Sequence, residues 1–290
     1  MSLAETQLRD EADGCETPAA ATPVLRSGGV LRLEFKRRAD ASVLGGLYQS
    51  GCLKARLFKP EPRHCAEAVI LNTSGGVVGG DRLSIGVQWG PATYAAVTTP
   101  ACEKLYRAAA CTATIQTRLD VAEGAGAEWL PQETILFDRA MVQRDMQVRL
   151  AVGATFTGLE SIILGRVEMG ETVRHTWLRD GWRIWRGDRL IYADVLNLRG
   201  DVNQLLARAP TLQGKRAFAN LLHIGPRAES KLHEIRASLA GTGCISGASA
   251  WNGLLSVRFV APDSATLRQG VARVLNVIRD NLSLPRVWQN

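Results

Sequence analysis

Apolar and polar residues alternate over much of the first two-thirds of the chain, the period-2 signature of half-buried strands. Leu83, Ile85, Val87 and Trp89 alternate with Ser84, Gly86 and Gln88. Ile115, Leu119 and Val121 share one face while Gln116, Arg118 and Asp120 take the other, and Met146, Val148, Leu150 and Val152 repeat the pattern. Arg186-Gly187-Asp188 separates apolar runs at 182–185 and 190–192, which predicts a hairpin.

A weak repeat runs through these strands. Gln116-x-Arg118-Leu119-x-Val121, followed by Gly124-Ala125 and Leu130, is echoed by Gln147-x-Arg149-Leu150-x-Val152, followed by Gly153-Ala154 and Leu159. Val87-Gln88-Trp89-Gly90-Pro91-Ala92 is an earlier relative. A strand–glycine turn–strand unit returning about every 30 residues predicts layered or solenoid-like stacked strands. The last third changes period. Residues 218–224 and 254–260 read as strands, and 228–239 as a helix with Leu232, Ile235 and Leu239 on one face. Behind the start signal Pro262-Asp263-Ser264, residues Leu267, Val271, Val274, Leu275, Ile278 and Leu282 recur at helical spacing, which predicts a helix over 264–282. The expected fold is mainly β with two helices packed near the C-terminus. It forms a single domain over 26–290, β-rich to 200 and α+β from 217, with a linker over 199–216.

Charge divides the chain further. Residues 1–25 carry Glu5, Asp10, Glu11, Asp13 and Glu16 against Arg9 alone and read as a disordered acidic tail. Removing that tail from the totals leaves 34 Lys+Arg and 23 Asp+Glu, a net charge of +11. A basic body admits nucleic acid, an anionic membrane or an acidic protein as partner. The cations are scattered among acids and lack the aromatic interleaving that stacks bases, which argues against nucleic acid. No run reaches the ~18 apolar residues of a membrane helix, and no basic-then-apolar leader opens the chain, so no membrane partner is expected. Six cysteines (Cys15, Cys52, Cys65, Cys102, Cys111 and Cys244) form no Cys-x-x-Cys pair and read as free thiols of a cytoplasmic protein.

Candidate chemistry is sparse. Gly75-Gly76-Val77-Val78-Gly79-Gly80-Asp81 is glycine-rich, but neither the lysine nor the helix of a phosphate loop follows it, so a tight turn is the better reading. No nucleophile elbow is present, and His64, His175, His223 and His233 lie in separate segments. Carboxylates at Asp81, Glu103, Glu133 and Asp138 are placed near turns. Such hard oxygen ligands hold a borderline ion like Ni²⁺ weakly, which suits passage rather than storage. The bland reading of each is a turn cap or surface ion pair. The alternative to a binding protein is a carbohydrate- or nucleotide-binding β-protein, or a hydrolase, using the glycine loop and a carboxylate pair.

Three segments in order change the picture: Gly75-Gly76-Val77-Val78-Gly79-Gly80-Asp81, then Thr98-Thr99-Pro100-x-x-Glu103-Lys104-x-Tyr106-Arg107, then Glu128-Trp129-Leu130-Pro131-Gln132-Glu133-Thr134-Ile135. With Leu164-Gly165-Arg166, Gly170-Glu171, Gly247-Ala248-Ser249 and the closing Leu284-Pro285-Arg286-Val287-Trp288, the set resembles the urease accessory proteins of the UreD type, also called UreH. The chain departs from many relatives at Asn72-Thr73-Ser74, where they carry His-Pro-Pro, and at Ala101-Cys102. The resemblance implies a mainly β, non-catalytic scaffold that docks on urease apoprotein and recruits a helical F-type accessory protein and a nickel-carrying G-type GTPase. It implies no tightly bound cofactor, only nickel in transit through an internal tunnel. Asp81, Glu133, Glu103, Asp138, Glu160 and Glu171 are the expected lining or shaping residues. Trp251, Leu284, Val287 and Trp288 are candidates for an apolar partner surface.

Overall fold

The computed structural model describes residues 26–58, 65–166, 169–209 and 211–289. The acidic tail over 1–25 and His64 lie outside the described residues. Two sheets face each other, and the chain winds between them. It enters the first sheet as the hairpin β1 (Gly28–Arg38) and β2 (Ala41–Gly51), then crosses to the second as β3 (Leu53–Phe58) and β4 (Ala66–Asn72). From there it alternates. β5 (Arg82–Trp89) lies in the first sheet, β6 (Tyr94–Thr98) and the short β7 (Glu103–Leu105) in the second, and β8 (Ala113–Val121) in the first. A further coil places β9 (Gly126–Leu130) and the short β10 (Thr134–Leu136) in the second sheet and β11 (Met141–Leu150) in the first. β12 (Thr155–Leu164) returns to the second sheet before the hairpin β13 (His175–Arg186) and β14 (Arg189–Asp201) closes the first.

Strands one coil apart therefore pair in parallel: β5, β8, β11 and β13 in one sheet, β4, β6, β9 and β12 in the other. This is the solenoid-like stack that the repeat predicts. Its register differs from the sequence repeat by two residues, since Gln116 lies opposite Asp145 and Gln147 opposite Arg118. A shift of two keeps each side chain on its own face, so the alternation survives it. The glycine turns do coincide: Gly124 and Gly153 both take positive φ and lie one above the other. Val152 is not on the strand face; β11 stops at Leu150, and Val152 sits 77% exposed in the turn.

The short helix α1 (Val202–Ala207) follows β14, with the Asp201 side chain capping it by accepting from the Gln204 amide at 3.1 Å. Residues 199–216 are thus no bare linker, because Val202, Leu206 and Leu212 bury into the inter-sheet core. β15 (Ala217–Ile224), α2 (Leu232–Ser238), β16 (Ile245–Trp251), β17 (Leu254–Ala261) and α3 (Ser264–Ile278) complete the chain, the three strands extending the second sheet. Both helices expected near the C-terminus are present, each shorter than its apolar spacing predicts. Asp263 caps α3 through the Thr266 amide at 2.7 Å.

Two cores result. One lies between the sheets around Leu31, Phe35, Trp89, Leu119 and Phe156; the other joins α3 to the outer face of the second sheet, with Leu159, Leu221, Phe259, Val271 and Leu275. The C-terminal segment is part of the second core. Trp288 is 6% exposed and donates its Nε1–H to the Leu130 carbonyl at 3.1 Å, so of the four residues expected at an apolar surface only Trp251 is exposed, at 40%.

Candidate functional site

Strand alternation points β11 residues 142, 144, 146 and 148 between the sheets. Three of these are Val142, Met146 and Val148; the fourth is Arg144. Its guanidinium donates to Asp180 at 2.6 Å, directly opposite on β13, and to Glu160 at 2.7 Å, which projects from β12 in the facing sheet. Thr134 completes the cluster, accepting from Arg144 at 3.1 Å and donating to Glu160 at 3.0 Å. One cation thus serves two carboxylates in a largely buried setting, and its Nε has no hydrogen-bond partner among the described residues. Burial pushes Glu160 up to about 7 against the pull of Arg144, and burial likewise raises Asp180. The guanidinium itself stays charged, because both carboxylates outweigh the burial that disfavours its charge.

A cavity of about 100 Å³ adjoins this cluster, walled by Glu103, Arg144, Glu160 and Asp180 among Trp129 and Trp182. Glu160, Asp180 and Trp182 also border a second hollow of about 460 Å³, which reaches the exposed Arg258–Asp194 ion pair. On the other side, Asp145 borders both the small cavity and a shallow depression on the outer face of the first sheet. Glu103 accepts from Asn72 at 3.3 Å, and burial raises its pKa despite that bond.

The other expected carboxylates sit elsewhere. Asp81, 1% exposed, accepts from the Ser27 amide at 2.7 Å and the Val78 amide at 2.9 Å, which ties the glycine loop to the start of β1. That loop is a closed turn: a Cβ on Gly76 would lie 2.4 Å from the Tyr106 ring. Its Val78 amide points at Asp81, which an anion would have to displace. Asp81→Ala strands two part-buried amides and is expected to lose about 1–3 kcal/mol of stability; equal denaturation midpoints for variant and wild type would refute this.

Glu133 lies under Arg268 of α3, at 3.3 Å, and accepts from the Cys102 thiol at 3.5 Å. Arg268 also covers the Trp288 ring, so Glu133 fastens the C-terminal helix to the solenoid. Asp138 accepts from the Arg174 and His175 amides at 2.7 and 3.0 Å, and Glu171 from the Asp138 amide and from Arg166. His223 bonds Thr157 at 3.0 Å and is pushed down to about 4 by burial and then by Lys231 and Arg227.

Among the described residues no three His, Cys, Asp or Glu side chains gather as a metal-binding group. At Glu160 and Asp180 the physical reason is plain: Arg144 takes the oxygens a cation would need. Cys52, Cys65, Cys102 and Cys244 are free thiols, whereas Cys111 is disulfide-bonded, which corrects the expectation of free thiols throughout. No helix among the described residues is long and apolar enough to cross a membrane.

The sequence model of the UreD urease accessory protein family matches residues 27–289, practically the whole described chain. The chain belongs to the UreD family. It is 46% identical over 263 residues to the urease accessory protein UreD of Xanthobacter autotrophicus, covering 89% of this chain and 90% of that one. To its counterpart in Agrobacterium fabrum it is 41% identical over 280 residues, covering 96% of each. Against the UreD of Rhizobium leguminosarum bv. trifolii the identity is 45% over 271 residues, 93% of this chain and 98% of that one. As a UreD-family member the protein is a urease accessory factor, a non-catalytic scaffold rather than an enzyme. Arg144 and Asp180 were not singled out by sequence motif; the available signal is a charge at an inward strand position, flanked at i±2 by Val142 and Met146 or by Leu178 and Trp182.

Proposed function

We propose that this chain is a cytoplasmic scaffold of urease maturation that docks on urease apoprotein. It recruits a helical F-type accessory protein and a nickel-carrying G-type GTPase, and it offers Ni²⁺ an internal route. The observation that carries the reading is the carboxylate-walled hollow between the sheets of a urease accessory protein. Glu103 and Glu160 face that hollow and would meet the ion, while Asp81, Glu133, Asp138 and Glu171 lie outside its lining and would act only by bracing the surrounding loops and helix. Few oxygen donors and, among the described residues, no gathered imidazoles or thiolates favour release over retention. Arg144 is the resident cation that the travelling one must replace at Glu160.

Affinity purification of the tagged full chain from cells expressing a complete urease operon tests the docking. Urease subunits and both accessory partners are expected in the eluate at comparable molar amounts. An eluate free of urease subunits would overturn the reading.

A further inference from the structure

Among the described residues, α2 and α3 cover the outer side of the second sheet, α1 packs between the sheets, and no helix lies on the outer face of the first sheet. Parallel strands spaced about 4.8 Å apart turn that face into ordered rows. Arg82, Thr114, Gln143 and Arg179 form one row, and Gly86, Arg118, Gln147 and Arg183 another. A third runs Gln88, Asp120, Arg149 and Trp185. On the four central strands Arg82, Arg118, Arg149, Arg179 and Arg183 oppose only Asp120 and Asp145, a local net charge of +3. Strand β1 adds exposed Arg32, Glu34 and Lys36 to the face, a further net charge of +1.

The face is ordered before any partner arrives. Asp145 accepts from Gln143 at 2.8 Å and holds Arg179 at 2.8 Å with Arg183 beside it at 3.8 Å; Asp120 holds Arg118 at 3.0 Å. These bonds fix the guanidinium planes around a polar depression of about 530 Å³. Arginines held this way lose little side-chain freedom when they take a second carboxylate through their remaining N–H groups.

We propose that the outer face of β5, β8, β11 and β13 is a docking surface for a carboxylate-rich protein surface. Charge complementarity selects that partner class. The glutamines between the arginines, Gln116, Gln143 and Gln147, offer donors and acceptors suited to a mixed polar surface, whereas phosphates would use the donors alone. The Arg149 guanidinium lies 5.9 Å from the Trp185 ring. Trp177 on β13 and the exposed Tyr48 beside Arg32 are isolated rings at the margins of this face, not the series of interleaved aromatics that stacks successive bases. Asp145 at the centre of the depression is at odds with a lipid headgroup or a phosphate, yet it can accept from the cations that any acidic protein surface also carries. That the partner belongs to the urease assembly rests on the proposed function; its acidity does not.

Two measurements separate these claims. In the first, poly-glutamate is titrated onto the full chain and onto Arg82→Gln/Arg118→Gln/Arg183→Gln. Binding by the wild type at about 0.05 M salt, weakened at least tenfold in the variant and abolished near 0.5 M, is the expected result. Equal binding by a variant of unchanged melting temperature would overturn the proposal, and so would tighter binding of duplex DNA or of phosphatidylserine vesicles than of poly-glutamate. In the second, the same variant replaces the wild type in cells carrying the urease operon, and it is expected to recover less urease or accessory protein. Recovery equal to wild type would remove the face from the assembly. Recovery of no urease by the wild type would sink the proposed function and leave the poly-glutamate result to decide the face.

Discussion

Arg144→Met is expected to lower folding stability by about 3–5 kcal/mol at neutral pH, the usual cost of removing one partner from a buried ionic cluster. The substitution leaves Glu160 and Asp180 facing each other without the guanidinium that now bonds both. The deficit is expected to shrink at pH 5. Arg144 holds both carboxyls down, so its loss raises them further in the variant, and acid then relieves the orphaned charge more in the variant than in the wild type. Glu160 in the wild type already shows the direction. Its folded-state value, about 7, lies above the ordinary 4.5, so the folded protein binds this proton more tightly than the unfolded chain does. That contribution is whole below pH 4.5 and is lost as pH rises through 7. Denaturant titrations at pH 5 and 7.5 read the effect, and a deficit that grows in acid would refute the assignment. The triple variant Arg144→Met/Glu160→Gln/Asp180→Asn, free of charge altogether, is expected to recover much of the loss at pH 7.5.

Arg279→Met should be comparably severe, again about 3–5 kcal/mol, because it orphans a carboxylate on the other side of the second sheet. Glu128 is 2% exposed; it accepts from Arg279 at 3.0 Å and from the Tyr94 hydroxyl at 2.8 Å, and its second oxygen has no partner. Arg279 also reaches the Cys65 sulfur at 3.3 Å and the Ser283 carbonyl, so it joins the end of α3 to the solenoid and to the C-terminal segment. Amide exchange over 283–289 should therefore accelerate in the variant, together with the Trp288 contact to Leu130. A stability change under about 1 kcal/mol, or unaltered exchange there, would mean that the segment is held by its apolar contacts alone.

Much of the fold was legible because burial imposes a period on the chain. The alternations at 83–89 and 146–150 became β5 and β11, and the heptad-like spacing of Leu267, Val271, Val274 and Ile278 became α3. Register was less legible: a two-residue slip preserves every face, so the sequence repeat could not choose between the two alignments. Helix α1 escaped because its six residues carry too little periodic signal, although Asp201 marks its start. The cluster around Arg144 was partly legible. Its charged members come from β11, β12 and β13, and only the two-sheet stack brings them together. Each nonetheless announces itself as a charge where alternation calls for an apolar residue. Asp81 drew attention through its glycines, yet both its oxygens meet backbone amides, a role that side-chain identity alone does not reveal.

These two buried clusters differ in kind. Glu128 and Arg279 are a clasp between layers with both side chains almost fully buried, whereas Glu160 and Asp180 border two hollows, one reaching the Arg258–Asp194 ion pair and the other Asp145. A structural ion pair has no need of adjoining space, and a route for an ion does.

The most direct test of that distinction is the nickel content of urease purified from cells expressing the whole operon. The comparison sets the wild-type chain beside no chain and beside Glu103→Gln/Glu160→Gln. Nickel is expected near full occupancy with the wild type, and near the chain-free level with a double variant that folds and still co-purifies with urease. Full nickel in urease made without the chain would contradict a role in maturation, and full nickel with the folded, docked double variant would contradict a route past these carboxylates.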